Sequence, residues 1–118
     1  MHPSVRTISN GGQEINLADY IGKGKVTIID FHADWCGPCR RIGPVLRRLA
    51  EGDPGVELIK IDIVAWGTPV THQYNILSVP NIKVFDARGK SVGQACTSLR
   101  QLQGCLLEAK GRQYPSPL

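Results

Sequence analysis

The sequence predicts an α/β fold in which helices flank both faces of one central mixed β-sheet. Two observations support this prediction. Two apolar, β-branched segments at 25–32 and 56–63 enclose an amphipathic helix, an order typical of parallel strands joined by a crossover helix. Two later strand patterns, at 81–86 and 91–96, are separated by the turn sequence "ARGK", which predicts an antiparallel hairpin.

The first half of the chain is expected to supply two strands and two helices. "VRTIS" (5–9) predicts a short strand, and "NLADYIGKGK" (16–25) predicts a short helix with Asn16 as its N-cap and glycines at its end. The segment 25–32 is almost entirely apolar, as in a strand buried on both faces. A helix at 36–51 follows, and Pro44 is expected to bend it. Its apolar stripe consists of Ile42, Val45, Leu46, Leu49 and Ala50.

The second half completes the sheet and closes the fold. "GDPG" (52–55) predicts a turn before the strand at 56–63, and 68–75 has a weak helical pattern. After the hairpin, "LRQLQGCLLEAK" (99–110) predicts a closing amphipathic helix that tolerates Gly104. The end of the chain, 111–118, is expected to be a flexible tail. We therefore expect a single domain over 1–118, with its core at about 20–110.

The composition is that of an ordinary water-soluble globular protein, with 42% hydrophobic and 20% charged residues. No segment approaches the roughly 18 apolar residues that a membrane span needs. The opening "MHPSVRTISNGGQE" has no apolar stretch that could form the core of a signal peptide. These features predict a cytoplasmic protein without a membrane span. A periplasmic or membrane-anchored protein is the alternative if a leader was removed.

Positive charge is concentrated in one segment. The net charge is +4, and four arginines fall within the predicted helix at 36–51, namely Arg40, Arg41, Arg47 and Arg48. They are interpreted as the solvated face of an amphipathic helix. A nucleic-acid surface is disfavoured because no aromatic side chains are interleaved with them for base stacking. The sequence therefore predicts no nucleic-acid partner.

The segment "DFHADWCGPCR" (30–40) carries the chemistry, because Cys36 and Cys39 lie within the first turn of the predicted helix. This spacing puts both thiols on one side of the turn, within reach of a disulfide. Unpaired N–H groups at the helix N-terminus favour a thiolate at Cys36. Pro38 is tolerated in a first turn, and Gly37 leaves the approach to the thiols open. These features favour an exchanging dithiol.

Two other uses of the cysteine pair are disfavoured. A structural zinc site needs four ligands, typically as two close pairs, but Cys96 and Cys105 are nine residues apart on different predicted elements, and the histidines show no metal-type spacing with them. A permanent structural disulfide would close too small a loop to add much stability. No metal ligand is therefore assigned.

The segment "IIDFHADWCGPCRRIGP" (28–44) resembles the active-site segment of the thioredoxin family. "WCGPC" (35–39) matches the family motif in full, Asp30 matches its buried aspartate, and Pro44 matches the proline of its active-site helix. "SVPN" (78–81) matches its cis-proline loop, and Lys60 falls within one residue of the lysine that partners the aspartate. The resemblance covers about 20–110 and implies a thioredoxin fold.

The resemblance also implies roles for individual residues. Asp30, at the end of a buried strand, should have a raised pKa and deprotonate Cys39 through water, with Lys60 beside it. A helix-cap or turn aspartate is the alternative. Pro80 is expected to be cis and to leave the backbone of Val79 free to pair with an extended client segment. An ordinary loop proline is the alternative.

Three further residues complete the predicted client-binding surface, and a fourth residue nearby departs from the family pattern. Trp35, Gly37 and Pro38 are expected at its rim, although Trp35 could instead be a core aromatic. His32 occupies a position where the family usually has tryptophan, and it could add a titrating group near the site. A half-exposed polar substitution is the favoured interpretation of His32.

Two cysteines lie outside the motif. The family has a glycine beside the groove where this sequence has "ACT" (95–97). Cys96 could therefore be a third thiol near the active site, but a small apolar strand residue is favoured. Cys105, between Leu102 and Leu106 on the predicted helix, is interpreted as a core residue.

The sequence thus predicts a thiol-disulfide oxidoreductase that reduces protein disulfides. Its expected partners are disulfide-containing client proteins and an electron donor, either a flavoprotein reductase or a membrane thiol carrier. We expect a monomer with no bound cofactor, because the cysteines themselves carry the electrons. The alternatives are an extracytoplasmic oxidoreductase or isomerase with a dedicated client, such as a cytochrome-maturation component, and a redox-inert binding module. The opening "NGGQEINLADYIGKGK" (10–25) also resembles membrane-anchored or periplasmic relatives, which leaves the compartment open.

Overall fold

A computed structural model describes residues 4–9 and 11–112 of the chain, without the side chain of Ser9. Five strands and three helices are formed in the order β1 (Val5–Ser9), β2 (Val26–His32), α1 (Gly37–Glu51), β3 (Val56–Asp62), α2 (Pro69–Gln73), β4 (Asn81–Phe85), β5 (Ser91–Cys96) and α3 (Leu99–Gly111). The five strands and the helices α1, α2 and α3 confirm the elements that the sequence predicts, and no boundary differs by more than two residues.

The strands form one mixed sheet in the order β1-β3-β2-β4-β5. β3 pairs in parallel with both β1 and β2, whereas β4 pairs antiparallel with β2 and β5. The parallel pair β2–β3 is joined by the crossover helix α1, and β4–β5 is the predicted hairpin. This is the arrangement of the thioredoxin fold.

Apolar side chains from the two faces of the sheet form two core clusters. On one face, Ile28 packs with residues of α1 and α3, such as Leu46 and Leu102. On the other face, Ile29 packs with Leu17 and with residues of α2. β2 is accordingly buried on both faces, as predicted for the central strand of a sheet covered on both sides.

The predicted helix at 16–25 is reduced to a single 3-10 turn, Leu17–Asp19. Asn16 does cap it, because its side-chain oxygen accepts a hydrogen bond from the Ala18 N–H at 3.1 Å. The helix cannot continue because Gly22 adopts a φ of 71°, in the left-handed region, and lies against the backbone of the β4–β5 turn. The glycines therefore terminate the turn earlier than the sequence pattern suggested.

The C-terminal helix runs slightly further than predicted. Gly111 is its last residue, and Arg112 caps it while pairing with Glu108 at 2.5 Å and with Asp86 at 3.3 Å. These two residues, assigned to a flexible tail from the sequence, are therefore part of the folded structure. The remainder of the predicted tail, 113–118, lies outside the described residues.

Candidate active site

The two motif cysteines form a disulfide at the N-terminus of α1. Cys36 is the N-cap residue and Cys39 lies in the first turn, with their Cα atoms 5.3 Å apart. The Cys36 sulfur also accepts a hydrogen bond from the Cys39 N–H at 3.2 Å. Both residues are 5% exposed, and they pack with Phe31 and Ala33 in the second core cluster. Local chain geometry alone thus holds the pair in bonding range, as the spacing predicts.

Asp30 lies inside the protein on β2, where it is 1% exposed. Burial raises its pKa from the ordinary 3.8 to about 6, and the positive charge of Lys60 opposes this rise. Its Oδ1 atom has no hydrogen-bond partner among the described residues. Asp30 is therefore a buried carboxyl that titrates close to neutral pH, as the sequence predicts, and it is not a helix cap.

The β2–β3 register settles the position of Lys60, because it places that residue directly opposite Asp30. Lys60 also lines a cavity of about 620 Å³ together with His32 and Cys39, beside the first turns of α1. Arg40 and Arg47 add positive charge to its wall. The second cysteine of the motif is therefore reached through a basic cavity.

His32 projects into that cavity and is half-buried. Burial lowers its pKa, and Lys60 lowers it further, while Asp62 and Asp34 oppose both effects. Its Nε2 atom is buried without a hydrogen-bond partner in the described part of the chain. The surroundings of the imidazole therefore favour its uncharged form.

Two tryptophans form an exposed aromatic rim close to the disulfide. Trp35 is 54% exposed, so the alternative of a core aromatic is wrong. Its indole N–H donates a hydrogen bond to the Val64 carbonyl at 2.6 Å, and its ring lies 5.8 Å from that of Trp66. Trp66, itself 50% exposed, was not recognised from the sequence. A large aromatic just beyond the end of a predicted central strand could have indicated it.

The loop before β4 contains a cis peptide bond between Val79 and Pro80, as predicted. Val79 packs against the core cluster that contains both motif cysteines, and Pro80 is buried. Neither backbone group of Val79 is hydrogen-bonded within residues 4–9 and 11–112. Leu77 in the same loop is 80% exposed, and the sequence did not indicate it as a residue of this surface. Gly37 and Pro38 lie between the cysteines, half-buried and exposed respectively.

Cys96 does not belong to the core cluster that contains the two motif cysteines. Cys96 is 1% exposed and belongs to the opposite core cluster, and its sulfur lies 3.5 Å from that of Cys105. Cys105 is half-buried and packs against the edge of the same cluster. The structure thus places Cys96 as a buried strand residue, the interpretation favoured from the sequence, and brings together two cysteines that the sequence left apart.

Within the described ranges, no group of three or more histidine, cysteine, aspartate and glutamate side chains could hold a metal ion. Among the same residues, no helix has the length and apolarity required to cross a bilayer.

Comparison with known proteins gives a consistent result. The protein-family model described as Thioredoxin matches residues 11–105. A thioredoxin of Chlamydia trachomatis serovar D is 44% identical over 70 residues, which cover 59% of this chain and 67% of the relative. Thioredoxin f from spinach chloroplast, in its short form, has a TM-score of 0.72 at 22% identity, with 90% and 93% of the two chains covered.

A further structural likeness is to a chain in the crystal structure of ferredoxin:thioredoxin reductase in complex with thioredoxin f2. It has a TM-score of 0.71 at 21% identity, with 90% of this chain and 94% of that chain covered. The family match spans most of the described residues, and the disulfide occupies the Cys-x-x-Cys position. The chain therefore belongs to the thioredoxin family and is a protein thiol-disulfide oxidoreductase.

Proposed function

We propose that the chain reduces client disulfides, with Cys36 as the attacking residue and Cys39 as the resolving residue. The Cys36 thiolate attacks one client sulfur, and the other client sulfur leaves as a thiolate that takes up a proton. Cys39 then loses its proton and attacks Cys36, which releases the second client thiol and forms the Cys36–Cys39 disulfide. Two electrons pass from the dithiol to the client. The single observation that carries this proposal is the disulfide at the N-terminus of α1.

The assignment of Cys36 as the attacking residue rests on its N-cap position. Its sulfur already accepts the Cys39 N–H, and the helix N-terminus favours negative charge at that point. A thiolate at Cys36 would therefore be stabilised without a neighbouring basic side chain. Cys39 is one turn further in and opens to the basic cavity instead.

Asp30 is proposed as the proton acceptor for Cys39, acting through water. A general base works best when its pKa lies near the working pH, and burial brings that of Asp30 to about 6. Lys60, opposite Asp30 in the sheet, limits the rise in this pKa and so keeps the carboxylate available. Asp30 and Lys60 would thus set the pH range in which the mixed disulfide is resolved.

The proposed client-binding surface consists of Trp35, Trp66, Gly37, Pro38 and the Val79–Pro80 bond. The unused N–H and C=O of Val79 would pair with an extended client segment in the manner of an added strand. The two tryptophans would supply apolar contact at the rim.

We further propose that a dedicated reductase, either a flavoprotein or a membrane thiol carrier, returns the electrons and that no bound cofactor is needed. The likeness to a chain solved together with ferredoxin:thioredoxin reductase supports a partner of the reductase type. We propose that the protein works in the cytoplasm, because the free thiols of Cys96 and Cys105 are typical of a reducing compartment. A monomer is proposed as its working state.

The assignment of the two cysteines is tested by trapping. In Cys39→Ser the mixed disulfide at Cys36 cannot be resolved, so incubation with oxidised insulin should yield a stable covalent complex on a non-reducing gel. The matched control, Cys36→Ser with Cys39→Ser, should give no such complex. A complex that persists in the control, or none in Cys39→Ser, would contradict the proposal.

The role of Asp30 is tested by the rate at which wild-type protein releases the mixed disulfide in a single turnover. The rate should rise with pH through about 6, because Asp30 accepts a proton only when it is ionised. In Asp30→Asn it should fall by about 100-fold and lose this pH step. Asp19→Asn, which changes an exposed carboxylate, is the control. An unchanged profile in Asp30→Asn would remove Asp30 from the mechanism.

A further inference from the structure

Cys96 and Cys105 form a second, unbonded pair of thiols between β5 and α3, outside the core cluster that contains Cys36 and Cys39. Cys96 ends β5, Cys105 lies in the middle of α3, and their sulfur atoms are 3.5 Å apart. A disulfide requires about 2.05 Å between sulfurs, so a small side-chain movement would bring the two sulfurs to bonding distance. Neither thiol has a part in the reaction proposed for Cys36 and Cys39.

An irregularity in β5 creates the space for this pair. Ile82 pairs with Cys96 and Val84 with Val92, so two steps along β4 correspond to four steps along β5. Gly93 lies in this bulge with a φ of 66°, and a Cβ atom placed there would be 3.0 Å from the Cys105 sulfur. Glycine at 93 therefore serves two needs, the left-handed backbone and the room occupied by the thiol.

The two thiols differ in access. Both line a cavity of about 420 Å³, but Cys96 is 1% exposed whereas Cys105 is only half-buried. Polar side chains, including Gln94 and Gln101, line that cavity, which is large enough for part of a small molecule. A reagent entering from solvent therefore meets the more exposed Cys105 first, with the Cys96 sulfur 3.5 Å away.

We propose that Cys96 and Cys105 are a second redox site, which reacts with small-molecule disulfides at Cys105 and closes to an intramolecular disulfide. In the first step, the Cys105 thiolate attacks one sulfur of the small disulfide and the other half leaves as a thiol. In the second step, Cys96 loses its proton and attacks Cys105, which releases the other half as a second thiol. The protein loses two electrons and two protons, and the small disulfide gains them.

The order of these steps follows from the surroundings of Cys96. Its pKa is raised to about 12, first by burial and then by the hydrogen bond and charge of Cys105. Its thiol also donates to the Gln94 carbonyl at 3.6 Å, which holds the proton in place. Once Cys105 is in a mixed disulfide, its charge no longer opposes ionisation of Cys96. The reaction at Cys105 therefore activates the thiol that completes it.

This second site is separate from the active site. In the row of residues across the sheet, Ile82 lies between Asp30 and Cys96, and no titratable side chain links the two. A charged group of α3, Glu108, lines the same cavity as the pair and forms an ion pair with Arg112. Oxidation of Cys96 and Cys105 can therefore be tested in a protein that has no active-site cysteines.

The test uses the full chain with Cys36→Ser and Cys39→Ser, so that only the second pair can react. After incubation with oxidised glutathione and blocking of free thiols, intact mass spectrometry should find a product with no free thiol and no glutathione attached. With Cys96→Ala added, one glutathione should remain on Cys105. With Cys105→Ala or Cys105→Ser added instead, Cys96 should stay a free thiol, at least about 10-fold slower to react.

Three outcomes would overturn the proposal. The first is that both thiols stay free in a glutathione buffer that fully oxidises Cys36–Cys39 in the wild type. The second is that each cysteine retains its own glutathione, and the third is that the disulfide forms between two chains. Thermal unfolding of every variant establishes that the folded protein is being measured, and Cys105→Ser preserves the shape of the side chain if Cys105→Ala does not fold.

Discussion

The two cysteine pairs of this protein belong to different core clusters and differ in almost everything except the proximity of their sulfurs. Cys36 and Cys39 are three residues apart, begin a helix, and are disulfide-bonded. Cys96 and Cys105 are nine residues apart on a strand and a helix, and are unbonded. The first pair has a buried carboxyl, a lysine and an aromatic rim around it. The second has a polar cavity and an inaccessible partner thiol.

The difference shows that two neighbouring thiols do not by themselves make a catalyst. A helix N-terminus favours a thiolate at Cys36, whereas burial raises the pKa of Cys96 to about 12. Rapid exchange requires a thiolate that a client can reach. The first pair is therefore suited to repeated turnover, and the second is suited to a slow change of state.

The largest expected difference between the two pairs is in catalytic activity. Cys36→Ser should reduce dithiothreitol-driven reduction of insulin by at least about a thousandfold, because it removes the nucleophile. Cys105→Ser should stay within about twofold of the wild type, since it changes a side chain remote from the reacting sulfurs. A large loss in Cys105→Ser, or activity retained in Cys36→Ser, would reverse the assignment of the pairs.

Asp30, the proton acceptor proposed for the first pair, is expected to make the folding stability of the protein depend on pH. The native carboxyl binds its proton more tightly than the unfolded one, so folding stability falls as pH rises from about 4 to about 6. The difference between 3.8 and about 6 corresponds to about 3 kcal/mol. Asp30→Asn should therefore stabilise the protein by about 3 kcal/mol at pH 8 and hardly at all at pH 4, as measured by urea unfolding.

Asp86 is the matched control, with the opposite sign. Burial raises its pKa, but N–H groups of Lys90 and Arg88 and the guanidinium of Arg112 outweigh burial and lower it. Asp86→Asn should destabilise the protein at neutral pH, with the loss shrinking as pH falls below about 4, the unfolded value. Equal pH dependence in the two variants would show that general charge, and not burial of Asp30, is responsible.

Gly93 tests how the second pair is accommodated. Gly93→Ala should destabilise the protein by roughly 1–2 kcal/mol, because it forces a side chain into a left-handed backbone beside the Cys105 sulfur. Gly104→Ala, in α3 with nothing within 4 Å, should instead stabilise it by about 0.5–1 kcal/mol. Chemical denaturation of both variants measures the difference, and a neutral Gly93→Ala would show that the bulge relaxes freely.

The smallest expected effect concerns the aromatic rim. Trp66→Ala should raise KM for insulin by about fivefold with kcat unchanged, because the exposed ring contributes about 1 kcal/mol of client contact. Leu107→Ala removes a comparably exposed apolar side chain from α3 and should change neither parameter. Equal effects of the two substitutions would remove Trp66 from the client-binding surface.

The fold was predictable because its signals are local and strong. The buried strands, the stripe of α1 and the turn between β4 and β5 can each be read from a few consecutive residues. The helix expected at 16–25 was wrong because its glycines stop the turn after three residues. Propensity favoured a helix there, but the left-handed backbone at Gly22, fixed by contact with a distant turn, prevailed.

The active site was predictable where it is contiguous in sequence and less so where it is assembled from distant segments. Cys36, Cys39 and Asp30 lie within ten residues, and the β2–β3 register then placed Lys60 opposite Asp30. The position of Trp66 depends on where the fold places its loop. The contact between Cys96 and Cys105 depends on where the fold places the bulged strand β5. No spacing rule reports such contacts, because they are fixed by tertiary packing.

The bulge at Gly93 has one more consequence, for the way in which copies of this protein meet. β5 and β1 are the two edges of the sheet, where unpaired backbone groups could add a strand from another molecule. The register of β5 shifts at the bulge, and that of β1 shifts between Thr7 and Ser9. Neither edge therefore presents a regular ladder of donors and acceptors. The bulge that makes room for the Cys105 thiol therefore also discourages edge-to-edge aggregation.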